Sequence, residues 1–198
     1  MIRLSIIIPI FNGAEFINQA LDSIPIRDDL EVLCINDGST DNSWEILNNY
    51  KRLPNFRLFN NEKNEGIGYS TNVGLDNAIG EYITGMDIDD CYITDKFNNC
   101  LDTLKLGEID IYYFDYIEND NKIRKYNKIR GLPGKWIKRS FLGDTRCEIK
   151  NLGADNSLHW ALKNKKPLES ITNIYYYKYN FPRKGSTSWE VVKSKYER

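Results

Sequence analysis

The chain has 198 residues, 41% of them hydrophobic and 13% aromatic, with 27 Lys and Arg against 28 Asp and Glu for a formal net charge of -1. That length suits one domain with a sizeable core, and the composition excludes a chain that stays disordered. Balanced charge gives no basic surplus for nucleic acid, and no apolar run approaches the roughly 20 residues of a membrane span.

The chain opens with "LSIIIPI" (4–10), a nearly continuous β-branched run that predicts a strand buried on both faces. Asn12 with Glu15 three residues later resembles a capping box, ahead of a helical face carrying Ile17, Ala20, Leu21 and Ile24. Pro9 interrupts the short apolar stretch and no small-residue cleavage pattern follows, so the N-terminus is not read as a signal peptide. "LEVLCIN" (30–36) repeats the strand signal, and "STDNSWEILNNYKR" has helix-start chemistry with Trp44, Ile46 and Leu47 as anchors.

"FRLFN" predicts a third strand, "GIGYSTNVGLDNAIG" a helix ending at Gly80, and "EYITGMD" a fourth strand. Strands alternating with helices imply an α/β fold with a mostly parallel, doubly wound sheet. Further on, 94–106 reads as a helix with Phe97, Cys100, Leu101 and Leu104 in register. "IDIYYFDYIENDNKIRKYN" reads as a hairpin around "ENDN", "ADNSLHWALKNKK" as a helix stopped at Pro167, and "NIYYYKYNF" as a late aromatic strand. No repeat or linker divides the chain, so 1–198 is expected to be a single domain.

Cys34, Cys91, Cys100 and Cys147 include no C-x-x-C pair, and His159 is the sole histidine, which leaves few ligands for zinc. Cys34, within an apolar run, reads as a buried thiol. Reduced thiols and a cytoplasmic location are expected, with association at the inner face of a membrane left open.

Ligands of open α/β sheets bind beyond the carboxyl ends of the strands. "FNG", "NDGSTD", "NEKNEG" and "DIDD" follow strands one to four, so four polar clusters converge on that edge. Asp37 can accept a hydrogen bond from an imide N–H of a base, while Gly38 permits close backbone approach. An Asx turn with a helix cap from Ser39, Thr40 or Asp41 is compatible with that role. In "DIDD" three carboxylates stand where a strand ends. Repulsion among them is tolerable if a hard cation resides there, because Mg²⁺ or Mn²⁺ takes one or two carboxylates together with phosphate oxygens and water. A solvated turn is the bland alternative. The "GIGYSTNVG" glycines are not a dinucleotide fingerprint, since Thr71 stands at the third glycine position.

"SIIIPIFNGAEFINQALDSI", "EVLCINDGSTDNSWEIL", "NEGIGYSTNVGLDNAIGEYITGMDIDD" and "GADNSLHWALK", in that order, resemble glycosyltransferase family 2, inverting enzymes of the GT-A fold. The resemblance spans nearly the whole chain. It implies transfer of a sugar from a nucleotide-diphosphate donor to an acceptor hydroxyl with Mg²⁺ or Mn²⁺. By position, Pro9, Phe11 and Glu15 would line the nucleotide end and Asp37 would contact the base. Asn64, Gly66 and Asn72 would lie beside the nucleoside. Asp87 and Asp89 match the D-x-D motif, with Asp89 the first choice as metal ligand and Asp90 a helper. Asp155 matches the general base.

Phe11 stands where a tyrosine is usual, Thr71 replaces a frequent arginine, and Ala154 replaces the glutamate before Asp155. There is no Q-x-x-R-W motif of processive synthases. His159, one turn beyond Asp155, is read as packing beside Trp160 rather than as a second metal ligand. The run Tyr175, Tyr176 and Tyr177 is mainly a sheet signal, with stacking against the acceptor a secondary role. In "PRKGSTS", Arg183 and Lys184 could close over the diphosphate as a lid or belong to a solvated tail.

The resemblance thus implies a metal-dependent inverting glycosyltransferase using a UDP-sugar in surface-glycan synthesis. Residues 1–90 would hold the nucleotide sugar, and 91–198 would form a smaller acceptor-side hairpin region and lid. Its partners would be the donor and a glycan, lipid-linked or other hydroxyl acceptor. The alternative is a sugar-nucleotide-binding protein without catalysis. A nucleotidyltransferase would need a basic glycine-rich loop where "PIFNG" carries no charge.

Overall fold

The computed structural model describes residues 1–125, 131–149 and 154–180. The first half forms β1 (Leu4–Ile10), α1 (Ile17–Asp22), β2 (Leu30–Asn36), α2 (Ser43–Asn48), β3 (Phe56–Asn60), α3 (Ile67–Asn77) and β4 (Tyr82–Gly85), with a 3-10 turn at Asn49–Arg52. The second half adds β5 (Cys91–Tyr92), α4 (Thr94–Thr103), β6 (Ile111–Ile117), β7 (Ile123–Arg124), β8 (Lys135–Lys138), α5 (Arg139–Leu142), α6 (Ala154–Asn164) and β9 (Glu169–Lys178).

Among the described residues the strands make one sheet in the order β3-β2-β1-β4-β8-β6-β9-β5, with β7 on β6. The four strands of the first half are parallel. β8 runs antiparallel to both β4 and β6, whereas β9 is parallel to β6. Parallel pairing carries most of the ladder, as the α/β expectation required.

The β-branched run of β1 is buried on both faces and organises two cores. Ile6 and Ile8 join Ile17, Leu21, Leu47, Phe97 and Leu101 on the side of α1, α2 and α4. Ile7 joins Leu75, Leu158 and Leu162 on the side of α3 and α6. Each such side chain contributes about 1.5–3 kcal/mol when fully buried. Gly74 sets the approach of α3, since a Cβ there would lie 2.4 Å from Ile7 Cγ2.

Several expected boundaries move, each for a long-range reason. Asn12 does not cap α1. It takes φ 50°, its Oδ1 accepts the Thr40 N–H at 2.8 Å, and α1 starts after Phe16 without a side-chain cap. Helix α3 ends at Asn77 rather than Gly80, because the Ile79 N–H donates to Glu31 and the Gly80 N–H to Ser5. Helix α4 ends at Thr103 rather than 106, and β9 begins at Glu169, ahead of the aromatic run. The hairpin around "ENDN" is present, with Ile117 opposite Ile123. All four cysteines are free thiols, and burial holds Cys34 and Cys100 well above the usual thiol range.

Candidate active site

In the order β3-β2-β1-β4 the chain builds outward on one side of β1 and returns to the other. Such a reversal leaves a crevice beyond the carboxyl ends of the strands, here β1 and β4. The loops after β1 and β2 are stitched together at this edge. Ser43 Oγ accepts the Gly13 N–H at 2.9 Å, Asp41 accepts the Ala14 N–H at 3.1 Å, and the Asp37 N–H donates to Ile10 O at 2.7 Å. A cavity of about 30 Å³ lies between the ends of β1 and β4 and the start of α3, lined by Pro9, Ile67, Thr71, Met86, Asp87 and Leu132, room for about one water. Phe11 (46% exposed) and Glu15 stand outside it on the exposed rim.

Asp37 is buried at the end of β2, yet its carboxylate is well satisfied. Oδ1 accepts from Asn61 Nδ2 at 2.9 Å and from the Glu65 N–H at 3.0 Å, and Oδ2 accepts from the Gly66 N–H at 2.9 Å. A carboxylate offers about four acceptor sites, so one remains, on Oδ2. Gly38 has φ 63°, and a Cβ there would sit 2.3 Å from the Lys63 carbonyl carbon. The backbone that approaches it closely is therefore the chain's own loop after β3.

Asn64 Oδ1 also accepts the Gly66 N–H at 2.9 Å, and Gly66 turns into α3 at φ 91°. Asn72 was expected beside a nucleoside, but both ends of its amide are engaged by Cys147: Nδ2 donates to the carbonyl at 3.0 Å, and Oδ1 accepts the N–H at 2.8 Å. It fastens α3 to the segment before α6, and no side-chain atom reaches toward Asp37 among these bonds.

Asp87 and Asp89 are half-buried beyond β4, and Asp90 is buried. Asp90 differs from the other two in its partners. Its Oδ1 accepts the Asn180 N–H at 2.7 Å, and its Oδ2 accepts the Tyr177 hydroxyl. Burial first, then the charge of Asp87 and more weakly that of Asp89, push its carboxyl well above the usual range. This mutual repulsion is what a cation would relieve.

The donor set suits a hard ion, since it consists of carboxylate oxygens without sulfur or imidazole. Among the described residues no three His, Cys, Asp or Glu side chains converge to hold a metal. Two carboxylates, completed by diphosphate oxygens and water, fit that geometry.

Asp155 is the second residue of α6, whose Leu158 and Leu162 are buried against the sheet. Its side chain lies outside the described residues, as does Arg183. His159 packs edge-on beside Trp160 with ring centroids 5.4 Å apart, and its Nδ1 lies 3.3 Å from Nζ of Lys135, a buried lysine on β8. Tyr176 and Tyr177 are buried, and Lys96 Nζ stands 4.3 Å over the Tyr175 ring.

Sequence reasoning singled out neither Asn61 nor Lys135, and it read Tyr177 mainly as a sheet residue. Asn61 stood inside "NEKNEG", so its position at the edge was legible while its bond to Asp37 was not.

The model for glycosyl transferase family 2 matches residues 5–172. The glycosyltransferase GlyA of Streptococcus pneumoniae serotype 4 is 33% identical over 221 residues, covering 94% of this chain and 31% of GlyA. The poly(ribitol-phosphate) beta-glucosyltransferase of Bacillus spizizenii is 28% identical over 153 residues, 74% of this chain and 22% of that protein. The chain thus spans less than a third of either relative.

S. aureus TarS 1–349 in complex with UDP-GlcNAc superposes with a TM-score of 0.80 at 20% identity, covering 95% of this chain and 61% of that one. The mannosyltransferase PcManGT from Pyrobaculum calidifontis, in complex with GDP-Man and Mn²⁺, gives 0.75 at 20% identity, covering 97% and 61%. At such identities these structures establish the fold, the mixed α/β sheet of GT-A glycosyltransferases. With the family model matched over most of its length, the chain belongs to glycosyl transferase family 2.

Proposed function

We propose that this chain transfers a sugar from a UDP-sugar to a hydroxyl of a glycan, lipid-linked or other acceptor, with inversion, in surface-glycan or polysaccharide synthesis. The observation that carries the reading is the placement of Asp37 at the end of β2 and of Asp87 and Asp89 beyond β4, on the edge where the strand order reverses. Glycosyltransferases among its relatives support the reaction class, and a structural neighbour bound to UDP-GlcNAc supports the nucleotide.

Residues 1–90 would hold the donor. The remaining acceptor site on Asp37 Oδ2 suits the imide N–H that uracil presents. Phe11 offers an exposed ring at the rim, with Pro9 and Glu15 beside it, and Asn64 and Gly66 shape the loop that carries Asp37's partners. Residues 91–198 would serve the acceptor, with Arg183 closing on the diphosphate.

Asp155 takes the proton of the acceptor hydroxyl as its oxygen bonds to the anomeric carbon, and the bond from that carbon to the diphosphate oxygen breaks on the opposite face. Mg²⁺ or Mn²⁺ held by Asp87 and Asp89 would neutralise charge on the departing diphosphate. The expected setting is the cytoplasm, with association at the inner face of a membrane left open; no described helix is long and apolar enough to cross one.

One feature favours a second reading: Ala154 stands where the family has a glutamate, which suits a protein that binds the donor without transfer. A panel of nucleotide sugars, assayed for nucleoside diphosphate release with Mn²⁺, decides between them. Release of UDP from one sugar supports transfer, and binding without release establishes the second reading. Release from GDP-sugars alone overturns the choice of nucleotide.

A further inference from the structure

The turn that follows β4 is closed by its own backbone, with the Asp90 N–H donating to Asp87 O at 3.0 Å. A side chain from β9, 87 residues further along the chain, closes it a second time. The Tyr177 hydroxyl donates to Asp90 Oδ2 and accepts the Asp87 N–H at 3.2 Å, so one phenol bridges both ends of the turn. Tyr177 is fully buried in β9, paired in register with Tyr92 of β5, and their ring centroids lie 5.7 Å apart. Two residues past the strand, the Asn180 N–H takes the other oxygen of Asp90 at 2.7 Å.

Asp90 therefore directs its carboxylate into the protein, toward β9, while Asp87 and Asp89 stay half-buried at the edge. Three carboxylates in four residues repel one another, and an unconstrained turn would spread them. Two carboxylates that are to share one small ion need a fixed separation, since Mg²⁺ and Mn²⁺ tolerate little departure from octahedral geometry. A ligating carboxylate held by buried supporting bonds is worth more than the same carboxylate on a loose turn.

We propose that Asp90 is a positioning residue and not a cation ligand: through Tyr177 and Asn180 it fixes the turn that presents Asp87 and Asp89, and so sets the affinity for a divalent cation with a nucleoside diphosphate. The inference rests on the reading that Asp87 and Asp89 hold the cation of a glycosyltransferase.

The test uses the full chain as wild type, Tyr177→Phe, Asp90→Asn, Asp90→Ala and the double variant Tyr177→Phe with Asp90→Ala. Mn²⁺ affinity in the presence of UDP is measured by calorimetry and by the spin resonance of free Mn²⁺, well below each variant's melting temperature. Tyr177→Phe removes both bonds of the bridge and should weaken Mn²⁺ binding at least about tenfold, the scale of one lost buried hydrogen bond. Asp90→Ala should do at least the same, and the double variant should lose less than the sum of the two single losses, because the Tyr177–Asp90 bond is common to both substitutions while the Asp87 N–H bond to Tyr177 survives Asp90→Ala. Asp90→Asn keeps an oxygen for the Asn180 N–H and should fall well short of Asp90→Ala. Should Asp90→Ala fail to fold, Tyr177→Phe and Asp90→Asn still decide.

Loss of Mn²⁺ binding in Asp90→Asn with Tyr177→Phe unchanged would make Asp90 a ligand and overturn the proposal. Lowered melting temperatures with unaltered Mn²⁺ affinity would reduce the bridge to a stabilising contact and overturn it equally. A wild type that takes up no Mn²⁺ with UDP overturns both this inference and the reading beneath it. A wild type that binds while every variant matches it overturns the inference alone.

Discussion

The Asp37 carboxylate at the end of β2 accepts the backbone N–H of Gly66, the residue that turns into α3, at 2.9 Å. With Asn61 and Glu65 also donating to it, one side chain fastens the loop after β3 onto the loop after β2. The residue proposed to read the base is therefore also the post on which the surrounding edge is built.

This double role makes Asp37→Ala act on two measurements. Three protein donors lose their acceptor in a buried place, so stability to urea should fall by about 1–3 kcal/mol. UDP affinity, measured where the variant is still folded, should fall by a comparable amount if the imide N–H is also lost. Unchanged UDP affinity with lowered stability would leave Asp37 as the post alone.

Glu31 provides the complementary case at the other end of the sheet. It is buried in β2, where Oε2 accepts from Ser5 Oγ at 2.6 Å and from the Ile79 N–H at 3.0 Å, and Oε1 pairs with Arg57 at 2.5 Å. Glu31→Ala should cost about 2–3 kcal/mol, less than a fully buried pair would, because the Arg57 side chain is 42% exposed and stays solvated. Equilibrium unfolding reads the loss, and UDP affinity should not move. A variant as stable as the wild type would show the network to be energetically idle.

Strands β1 and β2 were legible because a parallel strand buried on both faces must be a continuous apolar run, and "LSIIIPI" and "LEVLCIN" are such runs. The strand order then determines where ligands bind, so the edge bearing Asp37, Asp87 and Asp89 could be read before any contact was known.

What stayed hidden depends on partners remote in sequence. "KWIK" is only two apolar residues between two lysines and carries no strand signature of its own. It becomes β8 because β4 and β6 pair with it on either side, and Lys135 is buried there. Asn12 looked like a cap because the nearest N–H donors in sequence were those of a helix start, yet its side-chain oxygen accepts instead from the Thr40 N–H. Asn72 lay within a family block, but its amide is taken by Cys147, 75 residues away.

Asp89 provides the test of the cation itself. With two carboxylates proposed as protein ligands, removing one should sharply weaken metal-supported binding of the diphosphate. Asp89→Ala should keep its fold, judged by melting and circular dichroism, and lose nearly all sugar transfer. A chelator should do the same to the wild type, and added Mn²⁺ should restore it. Activity that survives both the substitution and the chelator would remove the metal from the reading.

Asp155 carries the most exposed part of the reading, because Ala154 breaks the acidic pair the family shows there. The residue opens α6, an eleven-residue helix whose Leu158 and Leu162 anchor it to the sheet. An anion at a helix start is favoured by the macrodipole, which suits a group that must be ionised to accept a proton. A general base contributes about 10²–10⁴-fold to rate and little to donor affinity. Asp155→Asn has nearly the same shape and cannot take the proton, so turnover should fall by that order while UDP affinity holds. If Asp155 served only as a helix-start residue, asparagine would replace it with little change in either stability or rate. Full turnover in this variant would remove Asp155 from catalysis, whereas lost turnover together with lost UDP affinity would place it in donor binding rather than in proton transfer.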